Sequence, residues 1–110
     1  ILNINASFSE LINTTTKYNL GIALITNKAK KLVGVITDGD IKRIMNTYKN
    51  IEQISIKKVM TKKPFKINSD ILAVEALSML EKNNISALPV LDKSKIKGIV
   101  TMQDIIKSIN

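Results

Sequence analysis

The chain contains no cysteine, no histidine and no tryptophan in its 110 residues. Without cysteine there is no disulfide framework, no thiolate nucleophile and no sulfur ligand for zinc. Without histidine the commonest general base and the commonest metal ligand are both missing. Aromatic side chains are scarce: Phe8, Tyr18, Tyr48 and Phe65 are the full set, too scattered to stack the bases of a single strand. Arg43 is the one arginine among 17 basic residues, whereas base readout favours arginine forks, so a formal charge of +8 does not read as a nucleic-acid surface. No apolar run approaches the roughly 20 residues that a membrane-spanning helix needs. Nor is there a basic-then-apolar leader with a small-residue cleavage site, so the expectation is a cytoplasmic chain without a membrane partner. Neither a Gly-x-x-x-x-Gly-Lys phosphate loop nor a Gly-x-Ser-x-Gly elbow occurs. No catalytic residue is nominated, and no metal ligand either, since Asp38 and Asp40 are only two acids on one turn.

What is present is an ordinary globular composition with an apolar fraction of 45%. The length suits one compact domain or two small repeats that share a core. The chain starts at Ile1 and enters a patterned segment almost at once, which reads as a piece of a longer protein whose catalytic part lies elsewhere. Charge is uneven. Residues 1–64 hold eleven basic against four acidic side chains, and residues 65–110 hold six against five, so a small polyanionic ligand would sit near the first half.

An internal repeat organises the rest. Leu32-Val33-Gly34-Val35-Ile36-Thr37-Asp38-Gly39-Asp40-Ile41 matches Ile96-Lys97-Gly98-Ile99-Val100-Thr101-Met102-Gln103-Asp104-Ile105 at an offset of 64, with Gly, Thr, Asp and Ile in phase. Upstream, Leu20 to Ile25 lies over Ile85 to Val90 with one residue of slip, absorbed in the turn Thr26 to Lys31, where an insertion costs least.

Each copy reads as helix, strand, strand, helix. In the second, Asp70 can cap a helix with apolar positions Ala73, Ala76, Leu77 and Leu80, ended by Asn83-Asn84. Leu88 to Leu91 and Ile96 to Thr101 are short β-branched runs joined by a polar turn around Asp92 to Lys95. Asp104 precedes Ile105, Ile106 and Ile109 in a closing helix. In the first copy Thr14-Thr15-Thr16 has poor helix propensity, but the repeat predicts a leading helix there. Ile51 to Lys66, with Val59-Met60-Thr61 and Pro64, reads as a turn of helix followed by an extended linker. The expected layout is a first repeat over residues 1–50, a linker over 51–66 and a second repeat over 67–110. Neither copy buries enough surface to stand alone, so an α/β fold is expected in which two copies pack about a pseudo-twofold axis, with a site in the cleft between them.

In each copy the repeated motif joins a strand end to a helix start, where free N–H groups and the positive end of the helix dipole attract anions. A threonine hydroxyl there can bond a phosphate, and an aspartate can accept both hydroxyls of a ribose. Lys42 and Arg43 follow Asp40 and can add charge to a phosphate site. The bland alternatives are equally definite. Asp40 and Asp104 can be simple helix caps, Asp38-Gly39-Asp40 a sharp turn, Lys42 and Arg43 a solvated face, and Met60, Met79 and Met102 core filler.

Through Gly34 to Ile41, Ile85 to Asp92 and Gly98 to Ile105, the chain resembles a CBS domain pair over essentially its whole length. That resemblance implies tandem helix-strand-strand-helix repeats with nucleotide bound in the clefts. It makes Thr37, Asp40, Thr101 and Asp104 the residues that contact phosphate and ribose, with Lys42 and Arg43 beside the first pair. More narrowly, Thr37 to Arg43, Val59-Met60-Thr61, Pro64 and Ile71 to Leu77 are similar to the C-terminal part of the arabinose-5-phosphate isomerases. This implies an upstream sugar-isomerase domain, a homo-oligomer joined through CBS pairs, and a role in lipopolysaccharide or capsule sugar synthesis. No cofactor is required; a regulatory nucleotide or nucleotide sugar is the implied ligand. That family often carries histidine ahead of the last aspartate, where this chain has Met102-Gln103, so the first copy is the stronger candidate for an anionic ligand. Two readings stand beside this one: a ligand-free dimerisation module, and the CBS pair of a sugar nucleotidyltransferase, where similar Thr-Asp-Gly-Asp-Ile motifs occur.

Overall fold

The protein is described from a computed structural model covering residues 1–71 and 73–109. Leu72, Asn110 and the Ile109 side chain lie outside the described residues, and with them part of the Ile71 to Leu77 stretch and the apolar role expected of Ile109. The chain divides into two compact units, Ile1–Pro64 and Phe65–Asn110.

In the first unit the order is β1 (Leu2–Asn3), α1 (Phe8–Tyr18), β2 (Ile22–Thr26), β3 (Leu32–Thr37), α2 (Asp38–Thr47), a 3-10 turn (Ile51–Gln53), α3 (Ile56–Val59) and β4 (Thr61–Lys62). The sheet runs β1-β2-β3-β4, parallel between β1 and β2 and antiparallel elsewhere. Despite its threonines α1 forms, because its ends are well capped and its apolar face is buried. Ser7 and Glu10 make a reciprocal capping box at the start, and Asn19 closes the end in the left-handed region at φ 51°. Thr15 returns its hydroxyl to the Leu11 and Ile12 carbonyls, so it leaves no unpaired polar group on the half-buried side. Phe8 and Leu11 then enter a core with Ile25, Ile36, Ile41 and Ile44. Gly21, at φ 79°, makes the turn into β2 that a side chain would strain.

The stretch expected to be a linker is built into this unit as far as Pro64. Ile56 and Met60 belong to its core, and β4 pairs with β3 along Gly34↔Lys62 and Val35↔Thr61. Gly34 is required by that approach: a Cβ on it would stand 2.5 Å from Met60 Sδ and 3.0 Å from the Thr61 carbonyl oxygen. Local sequence pattern does not reveal this, because the pairing joins residues distant in the chain.

The second unit comprises β5 (Ile67–Asn68), α4 (Ala73–Lys82), β6 (Ala87–Asp92), β7 (Lys95–Thr101) and α5 (Met102–Ile109), with sheet order β5-β6-β7. Ala76 and Leu80 of α4 join Ile67, Leu88 and Ile105 in its core, Leu77 is half-buried, and Ala73 is exposed rather than apolar-facing. Asp70 lies in a turn ahead of α4, and the cap expected of it falls at the start of that helix, outside the described residues. At its other end α4 closes on Asn84 at φ 54°, with the Ile85 N–H donating to the Leu80 carbonyl at 3.0 Å.

The two units repeat each other in detail. Both hairpins carry a register shift, at Ile25/Thr26 and at Val90/Leu91. The first residue of each following helix is tied back to the strand entry: Asp38 N–H donates to the Gly21 carbonyl at 3.0 Å, and Met102 N–H to the Ser86 carbonyl at 2.9 Å. Met79 and Met102 pack partly buried against the second core, as expected of filler.

Candidate functional site

The two repeated motifs fold alike. Thr37 ends β3 with extended backbone, φ −94° and ψ 166°, and its Oγ1 accepts the Asp40 N–H at 3.1 Å. Asp40 Oδ2 accepts the Thr37 N–H at 2.9 Å. In the second copy the Asp104 N–H donates to Thr101 Oγ1 at 3.1 Å, and the Thr101 N–H to Asp104 Oδ2 at 3.3 Å. Threonine is therefore the cap and aspartate the third helical residue, not the reverse as a simple aspartate cap would have it. Asp38-Gly39-Asp40 is likewise the first turn of α2 and not a separate sharp turn. The spacing Thr-x-x-Asp follows from this geometry, since only the third residue of the helix can reach back to the capping N–H.

The copies differ in what surrounds the aspartate. Asp40 is partly buried, with 14% of its side chain exposed, and it pairs through Oδ1 with Arg43, one turn along α2 and 74% exposed. Among the described residues this is the only ion pair. Asp104 is exposed.

Beside Asp40 a cavity of about 260 Å³ is lined by Asp40, Arg43, Ile44, Thr47, Tyr48, Lys58 and Val59. Asp40, Arg43, Ile44 and Thr47 stand at i, i+3, i+4 and i+7, one face of α2, and Lys58 and Val59 of α3 line the cavity with them. Lys42 does not line it, because a residue two positions after Asp40 projects from the far side of the helix. Of the predicted residues of the first copy, Thr37, Asp40 and Arg43 therefore come together and Lys42 stands apart. Lys58, Tyr48 and Thr47 were not among the predicted residues. The helical spacing from Asp40 signals Thr47, but Lys58 reaches the cavity only through the tertiary packing of α3. The arrangement offers a carboxylate, two cations, a hydroxyl and an aromatic ring around an open space. Among the described residues no three acidic side chains come together as a metal site would need.

The CBS domain family model matches residues 1–47 and 56–110. The chain belongs to the CBS domain family. Two copies of that domain in tandem make it a CBS pair, not a catalytic domain. It is similar to protein RP505 of Rickettsia prowazekii, 38% identical over 102 residues, covering 93% of this chain and 31% of that one. It is also similar to arabinose 5-phosphate isomerase KdsD of Escherichia coli strain K12, 31% identical over 103 residues, covering 94% of this chain and 31% of the enzyme. This CBS pair thus spans about a third of the length of the curated relatives it matches. Among solved structures, the CBS domain pair of protein MJ0100 in complex with 5′-methylthioadenosine and S-adenosyl-L-methionine superposes with a TM-score of 0.85. It is 28% identical, with 98% of this chain and 86% of that one covered. No helix among the described residues is long and apolar enough to cross a membrane.

Proposed function

We propose that this CBS pair is the regulatory portion of a longer arabinose-5-phosphate isomerase, and that it senses a nucleotide or nucleotide sugar of lipopolysaccharide or capsule sugar synthesis. The observation that carries the ligand reading is the cavity behind Asp40, where one carboxylate and the cations of Arg43 and Lys58 face the same space. A ribose hydroxyl pair needs an acceptor, and a phosphate needs charge-assisted donors; these three residues supply both. Arg43 already rests on Asp40, so an incoming ribose takes over Asp40 while the guanidinium turns to the phosphate. The parent activity is supported by the similarity to KdsD along nearly all of this chain, and the ligand class by the adenosine compounds held by MJ0100. The Thr101 and Asp104 turn is the second, more exposed binding position.

A thermal-shift panel of adenine, cytidine, guanine and uridine nucleotides, with an activated octulosonate among the nucleotide sugars, tests the ligand. Ligand at about 100 times its dissociation constant adds roughly 2.7 kcal/mol of stability. No shift from any of them at millimolar concentration would sink the reading. The parent activity is tested by assaying the longer polypeptide for interconversion of ribulose 5-phosphate and arabinose 5-phosphate, against nucleotidyl transfer as the competing outcome.

A ligand-free dimerisation module is the second reading, favoured by one observation: both Thr/Asp pairs are already mutually satisfied as helix caps. It predicts no ligand response and an unchanged oligomer after Asp40→Ala and Asp104→Ala.

A further inference from the structure

Two side chains of the cavity, Thr47 and Tyr48, are left over once a ribose and a phosphate are placed. Thr47 follows Asp40 by seven positions on the same face of α2, about 10 Å along the helix axis. That separation is comparable with the reach of a nucleoside from its ribose hydroxyls to the far edge of its base. Tyr48 caps the C-terminal end of α2 and lines the cavity, yet it is 49% exposed. Its ring is not covered by a cation as that of Tyr18 is, where Lys17 Nζ stands 5.3 Å from the ring centroid. An open aromatic face beside a cavity is a platform on which a planar base stacks.

Thr47 sets which edge of the base can lie there. Its Oγ1 stands 2.7 Å from the Arg43 carbonyl oxygen. A carbonyl oxygen has no hydrogen to give, so the hydroxyl is the donor in this bond and its proton is committed to the helix backbone. What remains of Thr47 for a ligand is acceptor capacity alone. An amino group completes it, whereas a keto oxygen would set lone pair against lone pair. Adenine and cytosine carry an exocyclic amino group where guanine and uracil respectively carry a keto oxygen.

We propose that Thr47 and Tyr48 form the base-reading end of the Asp40 cavity, and that it selects the amino bases adenine and cytosine over the keto bases guanine and uracil. The selection builds on the reading above, in which Asp40 holds a ribose and Arg43 and Lys58 hold its phosphate. With both cations on the phosphate and Tyr48 presenting its face, no lining side chain is left to donate to a keto oxygen.

Titration calorimetry with two matched pairs of 5′-monophosphates tests the selection: adenosine against inosine, and cytidine against uridine. Each pair exchanges an amino for a keto group and alters only the adjoining ring nitrogen besides. The amino member is expected to bind at least about tenfold more tightly in any pair that binds. Thr47→Val keeps the shape and removes the acceptor, so the two members should then bind within about threefold of each other. Thr47→Ser should keep the discrimination. Tyr48→Ala should weaken both members of a pair by about tenfold or more, and Tyr48→Phe, which keeps the ring, should leave both unchanged. Equal binding within both pairs, tighter binding of a keto member, or undiminished discrimination in Thr47→Val overturns the base selection and leaves the nucleotide reading standing. Binding of none of the four removes the nucleotide reading and the selection with it. The ratios measured on the unmutated chain decide the matter even where a variant fails to fold.

Discussion

Asp40 and Thr37 hold each other: each side chain accepts the other's backbone N–H, at 2.9 Å and 3.1 Å. The residues proposed to meet a ribose and a phosphate are therefore also the cap of α2. Thr37→Ala removes the acceptor for the Asp40 N–H and is expected to cost about 1 kcal/mol of unfolding free energy, read in a urea titration. Thr37→Ser keeps the oxygen and should recover most of it. Thr101→Ala is expected to cost a similar amount, because its cap has the same geometry. A loss well below about 0.5 kcal/mol at both positions would mean that the caps contribute little, against the usual range.

Binding separates from capping along the face of α2. Arg43 and Lys58 line the cavity and Lys42 does not. With a nucleotide identified by thermal shift, Arg43→Ala and Lys58→Ala should each weaken it about tenfold to a hundredfold, the range of one charge-assisted hydrogen bond of roughly 1.5–3 kcal/mol. Lys42→Ala should change affinity by less than about threefold, since it keeps only a distant, screened charge. Titration calorimetry checks this, and equal losses at Lys42 and Lys58 would place the phosphate outside the cavity.

The segment between the helices of the two copies is structural, and its truncation should show it. Ile56 is 1% exposed in the first core. Ile56→Ala is expected to cost about 2–5 kcal/mol, the usual range for a fully buried aliphatic side chain. Ile54→Ala, at a half-buried neighbour packed against the same core, should cost clearly less. Guanidinium unfolding of both variants measures the difference, and equal small losses would return the segment to the role of a linker.

Most of the fold is legible in the repeat, because one phase-locked motif sets the order of strands and helices in both copies. Even α1, against the propensity of its threonines, follows from it. What stays hidden depends on contacts between residues far apart in sequence. Lys57-Lys58 and Pro64 make the stretch after α2 look solvated, yet every fourth position there, Ile56 and Met60, turns inward. The motif residues Thr37, Asp40 and Arg43 can be found from local spacing, since strand end and helix start are one turn apart. Lys58 cannot, because only the tertiary fold brings α3 to the cavity that Asp40 and Arg43 line. Lys42, nominated for its charge beside Asp40, is absent from the cavity lining because the helical period turns it away from the Asp40 face.

The hairpin of the second unit carries strain that substitution can relieve. Asp92 pairs with Lys95, so Lys93 and Ser94 form a two-residue turn, and both have positive φ, 49° and 71°. Such turns match the right-handed twist of the strands but favour Asn-Gly, because an L side chain in the left-handed region costs roughly 1–2 kcal/mol. Lys93→Asn with Ser94→Gly removes most of that cost, while the added glycine returns part of it by enlarging the entropy of the unfolded chain. The expected net gain is about 0.5–1.5 kcal/mol, a rise of a few degrees in melting temperature. The first copy supplies the contrast. Its longer turn is held by Asn27, whose Oδ1 accepts the N–H groups of Ala29 and Lys31, both at 3.0 Å. Only Lys30 has positive φ there, 62°, so Lys30→Gly should gain less than the double change, and Asn27→Ala should lose stability. If the double change in the second turn lowers the melting temperature instead, the left-handed conformation at Lys93 and Ser94 is not the strained feature of that hairpin.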